Sequence, residues 1–216
     1  RFSPFAERYV CIIVFHCWRK APTVEHKNSS VPCCRRQYFS NVCDHVTRVN
    51  KCYLANNHMA NSKTNAVRTL DRAGIAYELR EYDIDERDLS AERAAGKLGM
   101  APETVFKTLI TRGDRTGPVL ACLPAGTELD LRALSEASGN KRIELVPLKE
   151  VHDLTGYIRG AVTPLAVKKP YPVFLDETAE LWPVIGISGG LRGLEILLTP
   201  ADLIRVTGAT LANIAR

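Results

Sequence analysis

Past residue 58 the sequence holds one cysteine, Cys122, and one histidine, His152. A single cysteine excludes a disulfide framework in that stretch, and with it the pattern of a small secreted domain. No G-x-x-x-x-G-K-[ST], G-x-G-x-x-G or H-E-x-x-H occurs, so the P-loop, dinucleotide and zinc-protease fingerprints are missing. No apolar run approaches the ~20 residues of a membrane-spanning helix. The longest, Val10 to Phe15, is closed by Arg19 and Lys20 and lacks an A-x-A cleavage pattern, which argues against a secretory signal. Net charge is missing too: residues 59–216 carry 20 basic and 21 acidic side chains. What is present is ordinary globular composition, 45% hydrophobic and 25% charged, which excludes a wholly disordered or collagen-like chain.

The formal charge of +5 therefore belongs to residues 1–58, with nine Lys/Arg against three Asp/Glu. That segment also holds six of the seven cysteines and four of the five histidines. Its cysteine gaps are irregular, with no C-x-x-C and no H-x-x-x-H to follow, so a zinc module is weakly supported. A basic arm for nucleic acid is a second reading. Neither helical nor strand periodicity holds for long before Met59, the first methionine, and ordered patterning begins there at once. Residues 1–58 are therefore expected to be a non-native or disordered extension, and 59–216 one domain with a well-buried core.

Within 59–216 the patterning predicts a helix capped by Ser62 or Thr64 and stopped by Gly74, and another from Ser90 to Leu98 stopped by Gly99. Further helices are expected over 129–137, from Pro147 to Thr155, and after Thr199 with Pro200 at its first position. Strands are expected near 77–84, then over 105–111, 119–123, 143–146, 163–167, 173–176, 181–187 and 194–198. Helices and strands do not alternate regularly, which disfavours a doubly wound parallel sheet. The fold class expected is α/β (α+β), a mixed β-sheet or barrel flanked by helices.

Three segments carry chemistry. Strand alternation puts Lys107 on one face with Val105 and Leu109. A lysine on an apolar face must find an anion, reach water or lose its charge. It is either an edge-strand lysine that blocks aggregation or a cation that holds a phosphate or carbonyl oxygen. Gly156-Tyr157-Ile158-Arg159-Gly160-Ala161-Val162-Thr163-Pro164 is a shaped loop, structural or displaying backbone groups to a substrate. Lys168 and Lys169 follow, solvated or in contact with phosphates. Gly186-Ile187-Ser188-Gly189-Gly190 matches G-x-S-x-G, but an elbow needs a helix after the turn and a later His. Leu194 to Leu198 reads as a strand, and no His follows Ser188. Without a base Ser188 is a poor nucleophile, so the segment is a glycine-rich hairpin turn or a ligand-facing loop. Cys122, in an apolar strand, reads as a buried small hydrophobe.

Taken in order, these segments resemble the YbaK/EbsC family, free-standing relatives of the editing domain of bacterial prolyl-tRNA synthetases and typically Cys-tRNA(Pro) deacylases. The resemblance covers 59–216 and rests on Lys97-Leu98-Gly99, Pro102, Val105-Phe106-Lys107-Thr108-Leu109, Gly156-Tyr157, Gly160-x-x-x-Pro164, Lys168-Lys169, Ser188-Gly189-Gly190-x-Arg192-Gly193, Asp202-Leu203 and Ala212-x-Ile214-Ala215-Arg216. It implies an aminoacyl-tRNA editing fold and a catalytic set of Lys107, Gly160, Ala161 and Ser188. Lys107 would hold the terminal adenosine or phosphate, and the backbone of Gly160 and Ala161 would lie near the scissile ester. Tyr82, Thr108, Pro164, Gly189, Gly190, Arg192 and Glu195 would shape the substrate pocket. The resemblance implies no cofactor, no metal and no protein nucleophile, since the substrate's own thiol is proposed to attack its ester. Ala161 stands where the family often has glycine, Glu195 where it often has aspartate, and Leu89–Ala91 lacks the family's frequent aromatic.

The expected activity is trans-editing removal of a mischarged amino acid, cysteine first, from tRNA(Pro), with Cys-tRNA(Cys) as a further substrate. The alternative is a non-catalytic module that binds a nucleotide or the tRNA end on the same fold. With no net positive charge, 59–216 has little electrostatic grip on tRNA. The expected partners are therefore the acceptor end of aminoacyl-tRNA and a protein that supplies affinity, prolyl-tRNA synthetase, with no membrane and a cytoplasmic location.

Overall fold

The computed structural model describes residues 63–216. The expectation for residues 1–58 lies outside them. The elements are α1 (Asn65–Ala73), β1 (Glu78–Glu81), α2 (Ala91–Leu98), a 3₁₀ turn (Pro102–Thr104), β2 (Val105–Gly113), β3 (Gly117–Pro124), α3 (Leu131–Ala137), β4 (Ile143–Leu145), α4 (Leu148–Thr155), β5 (Val173–Asp176), a second 3₁₀ turn (Glu177–Leu181), β6 (Ile185–Ser188), β7 (Leu194–Leu198), α5 (Pro200–Thr207) and β8 (Thr210–Ala212). The helix limits follow local chemistry. Thr64, Ser90 and Thr199 accept hydrogen bonds from the backbone two or three residues into α1, α2 and α5, and Gly74, Gly99 and Gly208 end those helices in the left-handed region.

The strands form one mixed sheet in the order β1-β7-β6-β2-β3-β5-β8, with β4 attached to β2. Of the two expected forms, this is an open mixed sheet whose ends β1 and β8 are not paired with each other. Alternation along β3 buries both faces. Leu120 and Cys122 pack with Leu70, Phe106, Leu175, Ile187 and Leu203, while Val119, Ala121 and Leu123 pack with Leu134, Phe174 and Ile214. α1 and α5 thus cover one face, and α3 with the C-terminal segment covers the other.

The sheet forks at β2. From Phe106 opposite Pro124 to Gly113 opposite Gly117, β2 pairs antiparallel with β3 on one side. On the other side Val105 and Phe106 pair parallel with β6, and Thr111 to Gly113 pair antiparallel with β4. Between those two partners the edge over 107–110 faces no strand.

Three strand expectations fail. Residues 163–167 form no strand: Pro164 has no N–H to give a ladder, Ala166 takes a positive φ of 51°, and the Leu165 carbonyl accepts the Tyr157 hydroxyl at 2.8 Å. Residues 181–184 are not strand either, because Asp176 caps a 3₁₀ turn through Leu181 and Pro183 follows it. β1 ends at Glu81, short of Ile84. The expected helix over 129–137 starts later, at Leu131, since Leu129 bridges to Ala215.

Candidate functional site

A cavity of about 500 Å³ opens in the fork of β2. Tyr82, Lys107, Thr108, Gly160, Ser188 and Glu195 all line it. The structure thus brings together residues from five separate stretches of sequence. Leu145 of β4, Val146 just after it, and Leu148 and Val151 of α4 form an apolar wall that the sequence reading did not assign to the site.

Lys107 stands on a strand inside the sheet, at the stretch whose second edge faces no strand. Its ammonium donates to the Thr127 carbonyl at 2.5 Å and lies 3.7 Å from Glu92 Oε1. Next to it, Thr108 is buried with its hydroxyl 3.5 Å from Cys122 Sγ. The Val105 carbonyl accepts from Ala125 on the β3 side, and the Ile110 carbonyl accepts from Val146 on the other. Antiparallel alternation therefore turns the N–H and C=O of Thr108 into the fork. Cys122 is fully buried behind Thr108, and burial pushes its thiol up to about 12, as a small hydrophobe rather than a nucleophile.

The two glycine-containing loops meet at the pocket mouth. Gly160 has φ +82°, and a Cβ there would lie 3.3 Å from Leu89 Cβ. Gly190 has φ +86°, and a Cβ there would come within 3.0 Å of the Tyr157 ring, so this glycine lets the two loops touch. Arg192 Nε donates to the Arg159 carbonyl at 2.9 Å and ties them further. β6 and β7 run antiparallel on either side of Ser188 to Gly193, so the turn is a hairpin and Ser188 also faces the cavity; no elbow helix follows.

Several expected site residues stand behind the wall rather than in it. Ala161 is buried, and its N–H donates to the Ile158 carbonyl at 3.0 Å. Pro164 is buried in the connection that follows. Gly189 donates to the Leu194 carbonyl at 2.9 Å, and Gly190 donates to Ser188 Oγ at 3.4 Å. Arg192 lines neighbouring grooves beside Tyr82. Lys168 donates to the carbonyls of His152 and Asp153, closing the end of α4.

Glu195 lies in the pocket as expected, but its state is not what the sequence suggested. It is 4% exposed, lines the cavity, and makes no side-chain hydrogen bond among the described residues. Burial pushes its carboxyl up to about 8. The Tyr82 phenol, which also lines the cavity, is raised by burial and then by the Glu195 charge. Pattern reading could place Glu195 on β7 but not foresee its isolation. Glu92, which braces Lys107, was missed because it reads as an ordinary first-turn helix residue. No three His, Cys, Asp or Glu side chains converge as a metal site among the described residues.

An open mixed sheet with a forked central strand, a half-apolar cavity and a few convergent polar groups is the architecture of a small-ligand or substrate domain. Residues 86–206 match the aminoacyl-tRNA editing domain family, and the chain belongs to that family. It is 42% identical over 152 residues to a protein of Enterococcus faecalis named as the Cys-tRNA(Pro)/Cys-tRNA(Cys) deacylase EbsC, covering 70% of this chain and 93% of that one. It is 30% identical over 99 residues to the multifunctional Ser/Thr-tRNA deacylase ProXp-y of Escherichia coli, covering 45% of this chain and 59% of that one. A crystal structure described as a trans-editing enzyme for prolyl-tRNA synthetase superposes with a TM-score of 0.62 at 26% identity, covering 72% of this chain and 99% of that one.

Proposed function

We propose that this chain is a trans-editing aminoacyl-tRNA deacylase that removes a mischarged amino acid, cysteine first, from tRNA(Pro), with Cys-tRNA(Cys) as a further substrate. The observation that carries the reading is the convergence of Lys107, Gly160 and Ser188 on one cavity. In this reading an ammonium N–H of Lys107 holds the 3′-terminal adenosine or phosphate of the acceptor end. The Gly160 loop and the Ser188 hydroxyl hold the aminoacyl group. Tyr82, Thr108 and Glu195 shape its pocket, and Ala161, Pro164, Gly189, Gly190 and Arg192 hold the two loops in place from behind.

The cavity offers no nucleophile with a base beside it, which suits chemistry supplied by the substrate. The cysteinyl thiol attacks its own ester carbonyl, the carbon–oxygen bond to the ribose breaks, and the thiol proton passes to the departing ribose oxygen. A cyclic thiolactone and an uncharged tRNA result. The protein contributes orientation and charge stabilisation. Glu195 supports the choice of substrate: a buried carboxyl with no protein partner favours a side chain that carries a hydrogen-bond donor, a thiol or hydroxyl.

The absence of net positive charge in 59–216 favours weak intrinsic tRNA affinity and a partner that supplies it, prolyl-tRNA synthetase. The reaction belongs in the cytoplasm, with the charged tRNA pool. No helix among the described residues is long and apolar enough to cross a membrane. The test is deacylation of Cys-tRNA(Pro), Ala-tRNA(Pro) and Pro-tRNA(Pro), beside Lys107→Ala. Loss of the cysteinyl ester that Lys107→Ala cuts to a small residual rate, with Pro-tRNA(Pro) spared, is the expected result. Loss of the alanyl ester alone would move the substrate. Binding without turnover would replace the reading with a non-catalytic tRNA-end module.

A further inference from the structure

A lysine side chain is a flexible four-carbon stem, and its ammonium stays in one place only where acceptors hold it. At Lys107 two do. One is the Thr127 carbonyl at 2.5 Å, and the other is Glu92 Oε1 at 3.7 Å. The same Glu92 oxygen accepts the Gly126 N–H at 2.5 Å. Glu92 therefore touches Lys107 by two routes. It is a countercharge, and it clamps the turn whose next carbonyl is the one Lys107 donates to. Thr127 Oγ1 closes that turn by donating to the Pro124 carbonyl at 2.7 Å.

The clamp stands on firm ground. Glu92 lies in the first turn of α2, and Ala95 of the same helix packs with Val105 and Ala125. The helix, the start of β2 and the end of β3 thus share one small core, with Glu92 and Lys107 spanning its rim. An ammonium has three N–H groups. One is committed to Thr127 and one side faces Glu92, which leaves the remainder directed toward the cavity both residues line. The Gly126 N–H draws on the Glu92 carboxylate, which leaves that carboxylate a weaker competitor for Lys107 than a free one.

We propose that Glu92 is a positioning residue that sets the Lys107 ammonium over the cavity through the Gly126–Thr127 turn. The proposal rests on the reading of Lys107 as the anchor of the substrate's acceptor end. The Glu92 side chain is 42% exposed, and a partly exposed ion pair contributes little to folding. A large effect on turnover with a small effect on stability is therefore the signature of positioning.

The experiment is a double-mutant cycle on the full chain with Cys-tRNA(Pro). Glu92→Ala is expected to lower kcat/KM about tenfold, about 1.4 kcal/mol of lost positioning. Glu92→Gln keeps an oxygen for the Gly126 N–H and is expected to stay within about threefold of wild type. The double variant Glu92→Ala, Lys107→Ala is expected to be no worse than Lys107→Ala alone, because the first residue acts through the second. Losses that multiply in the double variant overturn the proposal, as does a Glu92→Gln loss equal to that of Glu92→Ala. If Lys107→Ala costs nothing, the anchor reading itself fails, and positioning falls with it. Should Glu92→Ala not fold, Glu92→Asp takes its place: one methylene short of Gly126, it is expected to show the same tenfold loss and the same absence of additivity.

Discussion

Arg192 Nε donates to the Arg159 carbonyl at 2.9 Å, and this bond joins two loops that lie 33 residues apart in the chain. One loop presents Gly160 to the cavity and the other presents Ser188. The bond is exposed, so its worth to folding is about 0.5–1.5 kcal/mol. Arg192→Ala is expected to leave the fold intact and to lower kcat/KM about three- to tenfold. Steady-state deacylation beside a thermal melt checks this. A loss confined to the melting temperature would show that the bond has no part in shaping the site.

Gly160→Ala tests the other side of the same contact. At φ +82° an added Cβ is strained, and it would meet Leu89 Cβ at 3.3 Å. Left-handed backbone costs a non-glycine residue roughly 1–2 kcal/mol. Urea unfolding is expected to report a loss of about that size, with activity falling further as the loop withdraws from Leu89. An unchanged midpoint and unchanged turnover would show that this loop tolerates a side chain.

Glu195 predicts a pH dependence with a definite sign. Burial raises its carboxyl from an ordinary 4.5 to about 8. In the unfolded chain it ionises near its ordinary value, and in the fold it stays protonated until about 8. Its contribution to stability is complete below the ordinary value and is lost as pH rises toward about 8. The slope is at most about 1.4 kcal/mol per pH unit from this one group. Glu195→Gln, which is isosteric and cannot ionise, is expected to flatten the stability difference between pH 5 and 8 and to be the more stable form above pH 8. Parallel slopes for the two proteins would refute the assignment.

Cys122 is fully buried, with its thiol pushed up to about 12. Thiolate is the reactive form. Alkylation of the native protein at pH 8, mapped by mass spectrometry, is expected to leave the Cys122 peptide unmodified until denaturant is added. Labelling of Cys122 in the native state would sink the reading of it as inert core.

Asp176 ties the C-terminal segment to β5. One oxygen accepts from Ile214 N at 3.0 Å and Ala215 N at 2.8 Å, and the other accepts from Thr178 N at 3.1 Å. The residue is 1% exposed. Bonds to a buried carboxylate are worth about 1.5–3 kcal/mol each, and they are not additive. Asp176→Ala is expected to cost about 3 kcal/mol in chemical denaturation, with the C-terminal amides of Ile214 and Ala215 losing hydrogen-exchange protection. Retained protection there would argue against the tie.

The amino-acid sequence by itself determined most helix ends, the main strands and the three segments, one strand and two loops, that line the candidate site. Thr64 with Gly74, Ser90 with Gly99 and Thr199 with Pro200 work within a few residues of themselves, through capping bonds and backbone conformation. Alternation along 105–111 and the short apolar run 119–123 are equally local. What only the tertiary structure decided depends on neighbours far along the chain. The strand expected over 163–167 is lost because Tyr157 and Ala166 claim that backbone, and β8 exists because β5 offers it an edge. The fork in β2 arises because β6 and β4 take opposite ends of one edge, and no periodicity within β2 encodes that gap. Glu195 reads as a polar residue on a strand until its enclosure strips it of water, and Glu92 as a helix residue until the Gly126 turn meets it. Capping and alternation act through bonds and near neighbours, whereas cavity, burial and proton affinity are set by what the folded chain brings within a few ångströms.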